Sequence, residues 1–359
     1  MRNAECGMGE DGRSGENPAL RAQSASDGSS SDQRSAISGQ LSAVSGQQEQ
    51  NPPRDLRRFL LVANPMAGKG RGKRLAEHVD QRLSAAGVAS EIKWTTASDD
   101  AERIARDALD NAGANERICL VPCGGDGTVQ EVVNAILSLR ESGAVLGLAP
   151  GGRCNDFAST FGITPDAEQI ADTLLAGRTR RVDVGRINDR YYCTIAATGF
   201  DAAVSRYVND TKLPLVGTMA YIIGTLRVLL TFKPVAVRLK FDDTLIEEEL
   251  FLVATANTPS YGGKMRIAPM ADVADGLLDV CIVSKMSRLS GLNLLRAVLQ
   301  GRHTELPGVR FVRTAAIEIE TADRREVWAD GEFITDTPVR IEAVPQALEV
   351  VTPHRAEAL

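Results

Sequence analysis

The stretch Gly124-Gly-Asp-Gly-Thr128 decides how the first half of this chain is understood. It follows the apolar run 118–122, which is typical of a buried strand, and it precedes a segment from Val129 to about Leu139 that predicts a helix. Three glycines around one carboxylate let the backbone approach a ligand closely, and a glycine turn that opens a helix favours a phosphate. Such a turn also occurs for its geometry alone. The pattern predicts a strand–turn–helix unit in which Asp126 can meet a phosphate, or a metal bound to one.

The composition is that of an acidic globular protein. The chain has 359 residues, 43% of them hydrophobic, which is enough for two domains or one large one. A formal net charge of −6 argues against a general nucleic-acid binder. The six cysteines form no CxxC pair and no zinc-ligand spacing, so free thiols in a reducing cytoplasm are expected. None of the three histidines lies near a glycine-rich turn, which argues against histidine-based catalysis.

Four segments can be distinguished along the chain. Residues 1–54 are rich in Ser, Gly, Gln and acidic residues, so this tail is expected to be disordered. Residues 55–182 alternate short apolar runs with amphipathic segments, which predicts an α/β domain with a parallel sheet. Residues 183–345 predict a mostly antiparallel β domain, a sandwich, and residues 346–359 are expected to return to the first domain. Ligands of parallel sheets bind at the carboxyl ends of the strands, where the glycine-rich loops of this chain fall.

Short apolar runs give the expected strands of both domains. In the first domain, strands are expected at 59–63, 92–95 and 145–149, besides the strand that leads into the glycine-rich stretch. In the second domain, turn residues separate six strand-like segments. These segments are residues 191–197, 236–241, 250–255, 278–283, 316–320 and 339–343.

The longest apolar segment, residues 213–232, contains Arg227 and two glycines. It therefore falls short of an uninterrupted membrane span. The pattern predicts a buried or half-buried helix, and a lipid-facing surface helix is the alternative.

The other glycine-rich loops do not match two familiar nucleotide-binding patterns. The basic loop 68–73 is followed by Arg74, where a Walker A motif needs Ser or Thr. No GxGxxG occurs, so the usual dinucleotide pattern is absent. The basic loop can neutralise phosphates, or it can be a solvated turn.

Three carboxyl or amide side chains beyond Asp126 are candidates for chemistry. Asn155 and Asp156 follow the glycine pair at 151–152, and they can cap the next helix or hold substrate or a metal-bound water. Glu332 follows the Asp330-Gly331 turn. It is a candidate general base if it reaches the cleft of the first domain.

The segments that carry the next inference share an order along the chain. They are Asn64-Pro-Met-Ala-Gly68, Gly124-Gly-Asp-Gly-Thr128, Pro150-Gly-Gly with Asn155-Asp-Phe-Ala158, Gly199-Phe-Asp-Ala202, Ala268-Pro269, Asp275-Gly-Leu-Leu-Asp279 and Asp330-Gly-Glu332. Together they resemble the diacylglycerol kinase catalytic family, the bacterial soluble branch of lipid kinases that also includes sphingosine and ceramide kinases. The resemblance covers about residues 57–352. The run 124–128 alone is shared with NAD kinases, and the later elements make the lipid-kinase branch more specific.

The resemblance implies a nucleotide-binding α/β domain, a β-rich second domain and an active site in the cleft between them. It implies an ATP- and Mg²⁺-dependent kinase that phosphorylates a hydroxyl of a membrane lipid. Asp126 would act near the catalytic Mg²⁺, and Glu332 would take the proton of the lipid hydroxyl. Phosphoryl transfer needs positioning and charge neutralisation more than covalent chemistry, which agrees with these roles.

The resemblance also implies which residues contact a structural metal, the substrate and ATP. Asp272, Asp275 and the carbonyl of Leu277 match a structural Mg²⁺ site, and Asp183 matches an acidic residue that links this metal to the cleft. Asn155 and Asp156 are expected near the substrate. The residues expected to contact ATP are Asn64, Pro65, Met66, Ala67, Gly68, Thr96, Gly125, Asp126, Gly127, Thr128, Glu131 and Arg153.

One departure from the family pattern leaves the identity of the phosphate donor open. Where the family has Gly-Thr-x-Asn-Asp, this chain has Arg153 in place of the threonine. Arg153 can replace the hydroxyl with a charge-assisted contact, or it can crowd the site. Two alternatives therefore stay open: a soluble-substrate kinase related to NAD kinase, and a catalytically silent regulator that binds nucleotide or lipid.

The expected partner is a membrane lipid, and no nucleic-acid partner is expected. The expected location is the cytoplasm, with transient contact at the inner face of the membrane. A homodimer is compatible with the sequence.

Overall fold

The computed structural model describes residue 56 and residues 58–113, 116–139, 143–211, 218–263 and 265–353. All of them belong to one unit that spans Gln50–Leu359. The expected disordered tail, residues 1–54, lies outside the described residues. So do residues 354–359 of the expected C-terminal segment and the beginning, 213–217, of the long apolar segment.

The N-terminal part is a parallel sheet built on the apolar runs of the sequence. β1 (Arg58–Ala63) lies between β2 (Ala89–Trp94) and β3 (Ile118–Gly124), and both pairings are parallel. β3 also pairs in parallel with β4 (Val145–Leu146) and β5 (Ala149–Pro150). β3 is buried along its whole length, as expected for a strand covered on both faces.

The single strand expected over 145–149 is interrupted at Gly147. A Cβ atom at this position would lie 2.7 Å from the Leu174 side chain and 2.9 Å from the Val121 side chain. The N–H of Gly147 donates to the carbonyl of Leu120 at 2.8 Å. Close packing that only glycine permits therefore divides the expected strand into β4 and β5.

Within the described residues, five helices belong to this part. They are α1 (Arg71–Ala85), α2 (Asp100–Asp110), α3 (Asp126–Ser138), α4 (Asp156–Thr160) and α5 (Ala167–Ala176). The helix expected from Val129 begins three residues earlier, because Asp126 already lies in its first turn and Gly125 is its N-cap. The glycine-rich run is thus the helix N-terminus itself.

The C-terminal part is antiparallel and surrounds one long strand. β10 (Thr244–Ala256) pairs with β8 (Ile195–Gly199), β9 (Val235–Phe241) and β11 (Leu278–Ser284). The strand expected over 191–197 is divided into β7 (Arg190–Tyr192) and β8. The other strands are β6 (Thr179–Ile187), β12 (Val309–Thr314), β13 (Ala316–Thr321), β14 (Glu326–Ala329), β15 (Glu332–Asp336) and β16 (Val339–Val351).

Neighbouring residues of these strands face two different cores, as the period of a strand requires. Val280 and Ile282 face one core, whereas Cys281 and Val283 face the other. Three helices contribute to the second core, and they cover one face of the antiparallel sheet. They are α6 (Phe200–Thr211), α7 (Thr218–Leu229) and α8 (Arg288–Gln300).

The last strand, β16, joins the two parts. It pairs antiparallel with β13 and β6 and in parallel with β4, where Val350 lies opposite Leu146. Leu348, Val350 and Val351 are fully buried in the same core as β1 and β3. The strand therefore completes the N-terminal sheet while it continues the C-terminal one.

Candidate active site

Three glycine-rich loops meet at the carboxyl ends of β1, β3 and β5. The N–H groups of Gly151 and Gly152 both donate to the carbonyl of Gly124, at 2.8 and 2.9 Å. A Cβ atom at Gly151 would lie 2.8 Å from the Cα atom of Gly72. Backbone-to-backbone packing between the loops therefore explains the need for glycine at this position, whether or not a ligand is bound.

Asp126 connects two of these loops by hydrogen bonds. Its Oδ2 atom accepts a hydrogen bond from the N–H of Asn155 at 2.8 Å, and Oδ1 accepts from the N–H of Phe157 at 3.4 Å. Burial raises the pKa of this carboxyl, and the charge of Asp330 raises it further. Asp126 does not line the cleft, and two further carboxylates, Asp156 and Asp330, are close enough to interact with its charge.

Asn155 and Asp156 form hydrogen bonds within the protein. Asn155 has a left-handed backbone, with φ of 57°, and its Oδ1 accepts from the N–H of Gly152 at 2.8 Å. Asp156 Oδ1 accepts from the N–H of Gly263, in the C-terminal part, at 2.8 Å. Burial and then the charge of Asp126 raise the pKa of Asp156. Within the described residues, both side chains already have partners in the loops where a substrate contact is expected.

A cleft of about 490 Å³ opens beside the glycine-rich loops. Its volume falls in the range of sites that bind small molecules. Most residues expected to contact ATP line it, whereas Pro65 and Asp126 do not. The expected site residues in its wall are Asn64, Met66, Ala67, Gly68, Thr96, Gly125, Gly127, Thr128, Glu131, Arg153 and Glu332.

The sequence interpretation missed five residues of the cleft wall. Thr95, Ala97 and Ser98 directly follow β2, and Ala101 lies in the first turn of α2. Gly152 is the fifth. The signal that points to the first three is their position, because the carboxyl end of β2 lies at the same sheet edge as the glycine-rich loops.

Glu332 comes to the cleft from the C-terminal part, as the first residue of β15. The turn before it is anchored by Asp330, a half-buried residue whose carboxylate accepts from the N–H groups of Cys193 and Thr194 at 2.7 and 2.8 Å. Glu332 Oε1 lies 3.5 Å from where a Cβ atom on Gly127 would stand. Burial raises the pKa of Glu332, and the charge of Glu131 adds to this effect. A carboxylate of raised pKa thus lies beside the first turn of α3, in the wall of the cleft.

Glu131 has a structural partner as well as a place in the cleft wall. Its Oε2 atom accepts from the N–H of Ala101 at 2.9 Å and from the N–H of Glu102 at 3.4 Å. These groups belong to the first turn of α2, whose backbone donors have no partner within the helix. Burial raises the pKa of Glu131. Glu131 of α3 therefore caps the N-terminus of the neighbouring helix α2 beside the cleft.

Arg153 is an exposed cation in the cleft wall. Its guanidinium forms no hydrogen bond or ion pair with any residue in the described part of the chain. Arg71 has a different role, since its Nε donates to the carbonyl of Gly151 at 3.2 Å and a second nitrogen donates to the carbonyl of Gly152. One arginine therefore supports the loop, and the other extends from it into the cleft.

The loop that carries Asp272, Asp275 and Leu277 does not line the cleft. Asp183, fully buried, accepts from the N–H of Gly276 at 2.6 Å and so ties this loop to β6. Two arginines lie close to the carboxylates of this loop and compensate their negative charges. Asp272 lies 3.5 Å from a nitrogen of Arg180, and Asp275 accepts a hydrogen bond from Arg313. Nowhere in residues 58–353, as far as they are described, do three or more His, Cys, Asp or Glu side chains form a metal-binding group.

Comparison with known proteins gives the class of this fold and site. The family model "Diacylglycerol kinase catalytic domain" matches residues 58–187, and the model "YegS C-terminal NAD kinase beta sandwich-like domain" matches residues 194–352. These matches confirm the expected fold class, a parallel α/β domain followed by an antiparallel β domain. Among the described helices, none is both long enough and apolar enough to cross a bilayer.

Curated relatives and a solved structure extend over most of the chain. A diacylglycerol kinase of Mycobacterium tuberculosis is 36% identical over 301 residues, which cover 82% of this chain and 94% of the relative. The diacylglycerol kinase of Bacillus subtilis is 28% identical over 306 residues and is covered to 99%. A solved structure of a candidate diacylglycerol kinase from Bacillus anthracis has a TM-score of 0.70 and 26% identity, with 83% of this chain and 97% of that chain covered. The chain therefore belongs to the diacylglycerol kinase family, and the resemblance seen in the sequence is confirmed. It is a kinase.

Proposed function

We propose that this protein transfers the γ-phosphate of ATP to a hydroxyl of a membrane lipid, of the diacylglycerol or the sphingoid and ceramide type. The observation that carries the proposal is the meeting of Glu332, from the C-terminal part, with the glycine-rich loops and Arg153 in one cleft. Membership of the diacylglycerol kinase family supports a lipid as the acceptor. The enzyme would meet this lipid transiently, at the inner face of the membrane.

The nucleotide would bind against the glycine-rich loops. The first turn of α3 directs backbone N–H groups and the positive end of the helix dipole towards the cleft, both of which favour phosphate oxygens. The loop of Asn64–Gly68 lies beside this turn, and Thr96 forms the wall at the end of β2. Arg153 supplies a free cation that can pair with a phosphate by two parallel hydrogen bonds. This pairing would replace the threonine contact of the family pattern.

Magnesium is compatible with the carboxylates behind the cleft wall. Asp156 is buried and Asp126 and Asp330 are half-buried, and their like charges repel, so the charge of Asp330 raises the pKa of Asp126 and the charge of Asp126 raises the pKa of Asp156. Carboxylate oxygens are the ligands that Mg²⁺ prefers, and a cation would relieve this repulsion. We propose that Asp126 contributes one ligand to the ion, and that phosphate oxygens and water supply the others. When bound, Mg²⁺ would neutralise charge on the transferred phosphate.

The second proposed magnesium site, at Asp272, Asp275 and the carbonyl of Leu277, fits the ion less well. An ion held by Asp275 would compete with Arg313, which already donates to this carboxylate. The two arginines can therefore hold the loop without a metal, and no catalytic step is assigned to an ion there.

Glu332 would act as the general base. Its carboxylate would accept the proton of the lipid hydroxyl while the hydroxyl oxygen bonds to the γ-phosphorus and the bond to the β–γ bridging oxygen breaks. The raised pKa of Glu332 suits this role, because a base accepts a proton more readily when its pKa approaches the working pH. Asp330 would position Glu332 through the turn that it anchors, without touching the substrate.

The test is transfer of labelled γ-phosphate from ATP in Mg²⁺ buffer. Acceptors are mixed micelles that contain diacylglycerol, sphingosine or ceramide, with NAD and a sugar in water as soluble acceptors. A labelled lipid that disappears with Glu332→Gln supports the proposal, whereas transfer only to a soluble acceptor supports the kinase related to NAD kinase. ATP binding without any transfer supports the silent regulator, and Arg153→Thr is then the next variant.

A further inference from the structure

The helices α7 and α8 present large apolar side chains to solvent. On α7 and just after it, Met219 is 54%, Leu226 41% and Leu230 56% exposed. On α8, Leu289 is 79%, Leu292 43% and Leu299 38% exposed. These six residues define the α7–α8 surface. Exposed leucines are ordinary when they are scattered, but half of the exposed large apolar residues of the described chain lie on these two helices or directly after α7.

The two helices lie side by side. A Cβ atom at Gly291 of α8 would come within 2.6 Å of the Leu229 side chain of α7, so the backbone of one helix approaches a side chain of the other closely. Leu294 and Val298 of α8 face the core. The three exposed leucines of α8 are spaced by three and seven residues, which places them along the other face. The core therefore accounts for one face of α8, and the exposed leucines need another explanation.

The charge of this region differs from that of the whole chain. Neither α7 nor α8 contains an acidic residue, although the chain has 47 acidic and 41 basic residues. Arg227, Lys233, Arg288 and Arg296 are exposed, and none of them forms an ion pair with another described residue. Exposed leucines are thus accompanied by four cations whose charges are not compensated within the described chain.

We propose that the α7–α8 surface docks the protein on an anionic lipid bilayer. The leucines would enter the boundary between head groups and acyl chains, and the four cations would contact lipid phosphates. Charge decides against a second copy of the chain as the occupant, because a symmetric contact would bring the same cations against each other. The proposal rests on the proposed function, since a lipid acceptor gives the enzyme a reason to dock.

The surface is connected to the proposed general base through α6. Gly224 of α7 packs on α6, since its Cβ atom would lie 2.8 Å from Val208. Asn209 of α6 donates to the carbonyl of Gly331 at 2.8 Å, one residue before Glu332. Docking would therefore bring the bilayer to the helices that support the turn of Glu332.

The experiment measures co-sedimentation with vesicles of phosphatidylcholine, alone or mixed with phosphatidylglycerol, in the absence of nucleotide. The wild-type protein should bind the mixed vesicles more tightly. Arg288→Glu with Arg296→Glu should weaken this binding about tenfold or more. Leu289→Glu with Leu292→Glu should weaken binding to a similar extent, and high salt should not restore it. Leu245→Glu is the matched control, because Leu245 is 54% exposed on the strand β10.

The outcomes separate this proposal from the proposed function. If both double variants bind vesicles like the wild type, the docking surface is wrong. If the wild type is a dimer by light scattering and the double leucine variant is a monomer, the surface is an interface between copies, and the proposal is overturned as well. Transfer to a short-chain, water-dispersed diacylglycerol tests the kinase activity separately, and the surface variants should retain it. If the wild type phosphorylates no acceptor but its vesicle binding depends on the surface as expected, the proposed function fails and the docking surface stands.

Discussion

Asp201 lies in α6 with its carboxyl buried, and its replacement by asparagine should change how stability depends on pH. Burial raises the pKa of Asp201 from its ordinary value of 3.8 to about 6, although a hydrogen bond from the Tyr261 hydroxyl opposes this rise. One pKa unit corresponds to about 1.4 kcal/mol, so the ionised form should cost the folded protein about 3 kcal/mol relative to the unfolded chain. An amide in place of this carboxyl stays neutral at every pH and avoids the cost.

The direction of this pH dependence follows from the number of protons that the folded and unfolded states bind. Well below its ordinary pKa of 3.8, Asp201 is protonated in both states and the cost is absent. Between pH 4 and 6 the unfolded chain loses this proton first, so the contribution of Asp201 to the free energy of unfolding decreases as the pH rises. Asp201→Asn cannot ionise, and its amide oxygen can still accept from Tyr261. Relative to the wild type, the free energy of unfolding of the variant should therefore rise by about 2 kcal/mol between pH 4 and pH 7, because part of the full effect of about 3 kcal/mol is already present at pH 4.

Urea unfolding followed by circular dichroism at intervals of pH measures this difference directly. Other buried carboxylates titrate in both proteins, so subtracting the two free energies isolates Asp201. Asp210→Asn, an exposed carboxylate near the end of the same helix, is the control and should stay within about 1 kcal/mol of the wild type at every pH. A difference between Asp201→Asn and the wild type that is flat from pH 4 to 8, or that falls with pH, would refute burial as the cause.

The remaining predictions concern the cleft and the loop beside β6. Glu332→Gln should lower kcat about 100-fold or more at saturating ATP in the labelled-phosphate assay, because an amide cannot accept the proton. Gly151→Ala should lower the free energy of unfolding in urea by about 1–3 kcal/mol, because the added methyl would meet the backbone of Gly72. Arg313→Ala should make the melting temperature depend more strongly on Mg²⁺, because the carboxylate of Asp275 loses its arginine partner.

Matched substitutions give each of these results a reference. Asp336→Asn, at the other end of β15, should keep kcat within about twofold of the wild type, and an equal loss in both variants would remove Glu332 from proton transfer. Gly113→Ala should have a small effect, since a Cβ there meets no atom closer than 3.9 Å. Arg310→Ala removes an arginine of the same strand, and an equal Mg²⁺ response in both arginine variants would contradict the role of Arg313.

The order of elements could be predicted because apolar runs and glycine-rich turns are local signals. The strand before Gly124 and the helix after it both follow from neighbours in sequence. The break at Gly147 could not be predicted, because it depends on Leu174, which lies far along the chain and fills the space that a side chain would need. Periodicity describes one element at a time and contains no information on such contacts.

The candidate site shows the same division. Residues inside a glycine-rich motif, such as Gly125 and Thr128, were predicted to reach the cleft and line it. The hydrogen bonds that anchor the turn at Asp330 and the bond from Gly263 to Asp156 were not predicted, because each joins segments more than 100 residues apart. Thr95 could have been found from its place after β2, since the ends of parallel strands share one edge.

The position of β16 has a consequence for how the protein is made. Residues 339–351 form a strand beside β4, so the N-terminal sheet lacks this strand until these residues have been synthesised. While the ribosome translates the residues before them, Leu146 has no β16 partner and the core that will enclose Val350 is open to water. The parallel sheet is therefore completed only after residues 339–351 have been translated, and a chain interrupted before residue 339 should be a substrate for chaperones and proteases.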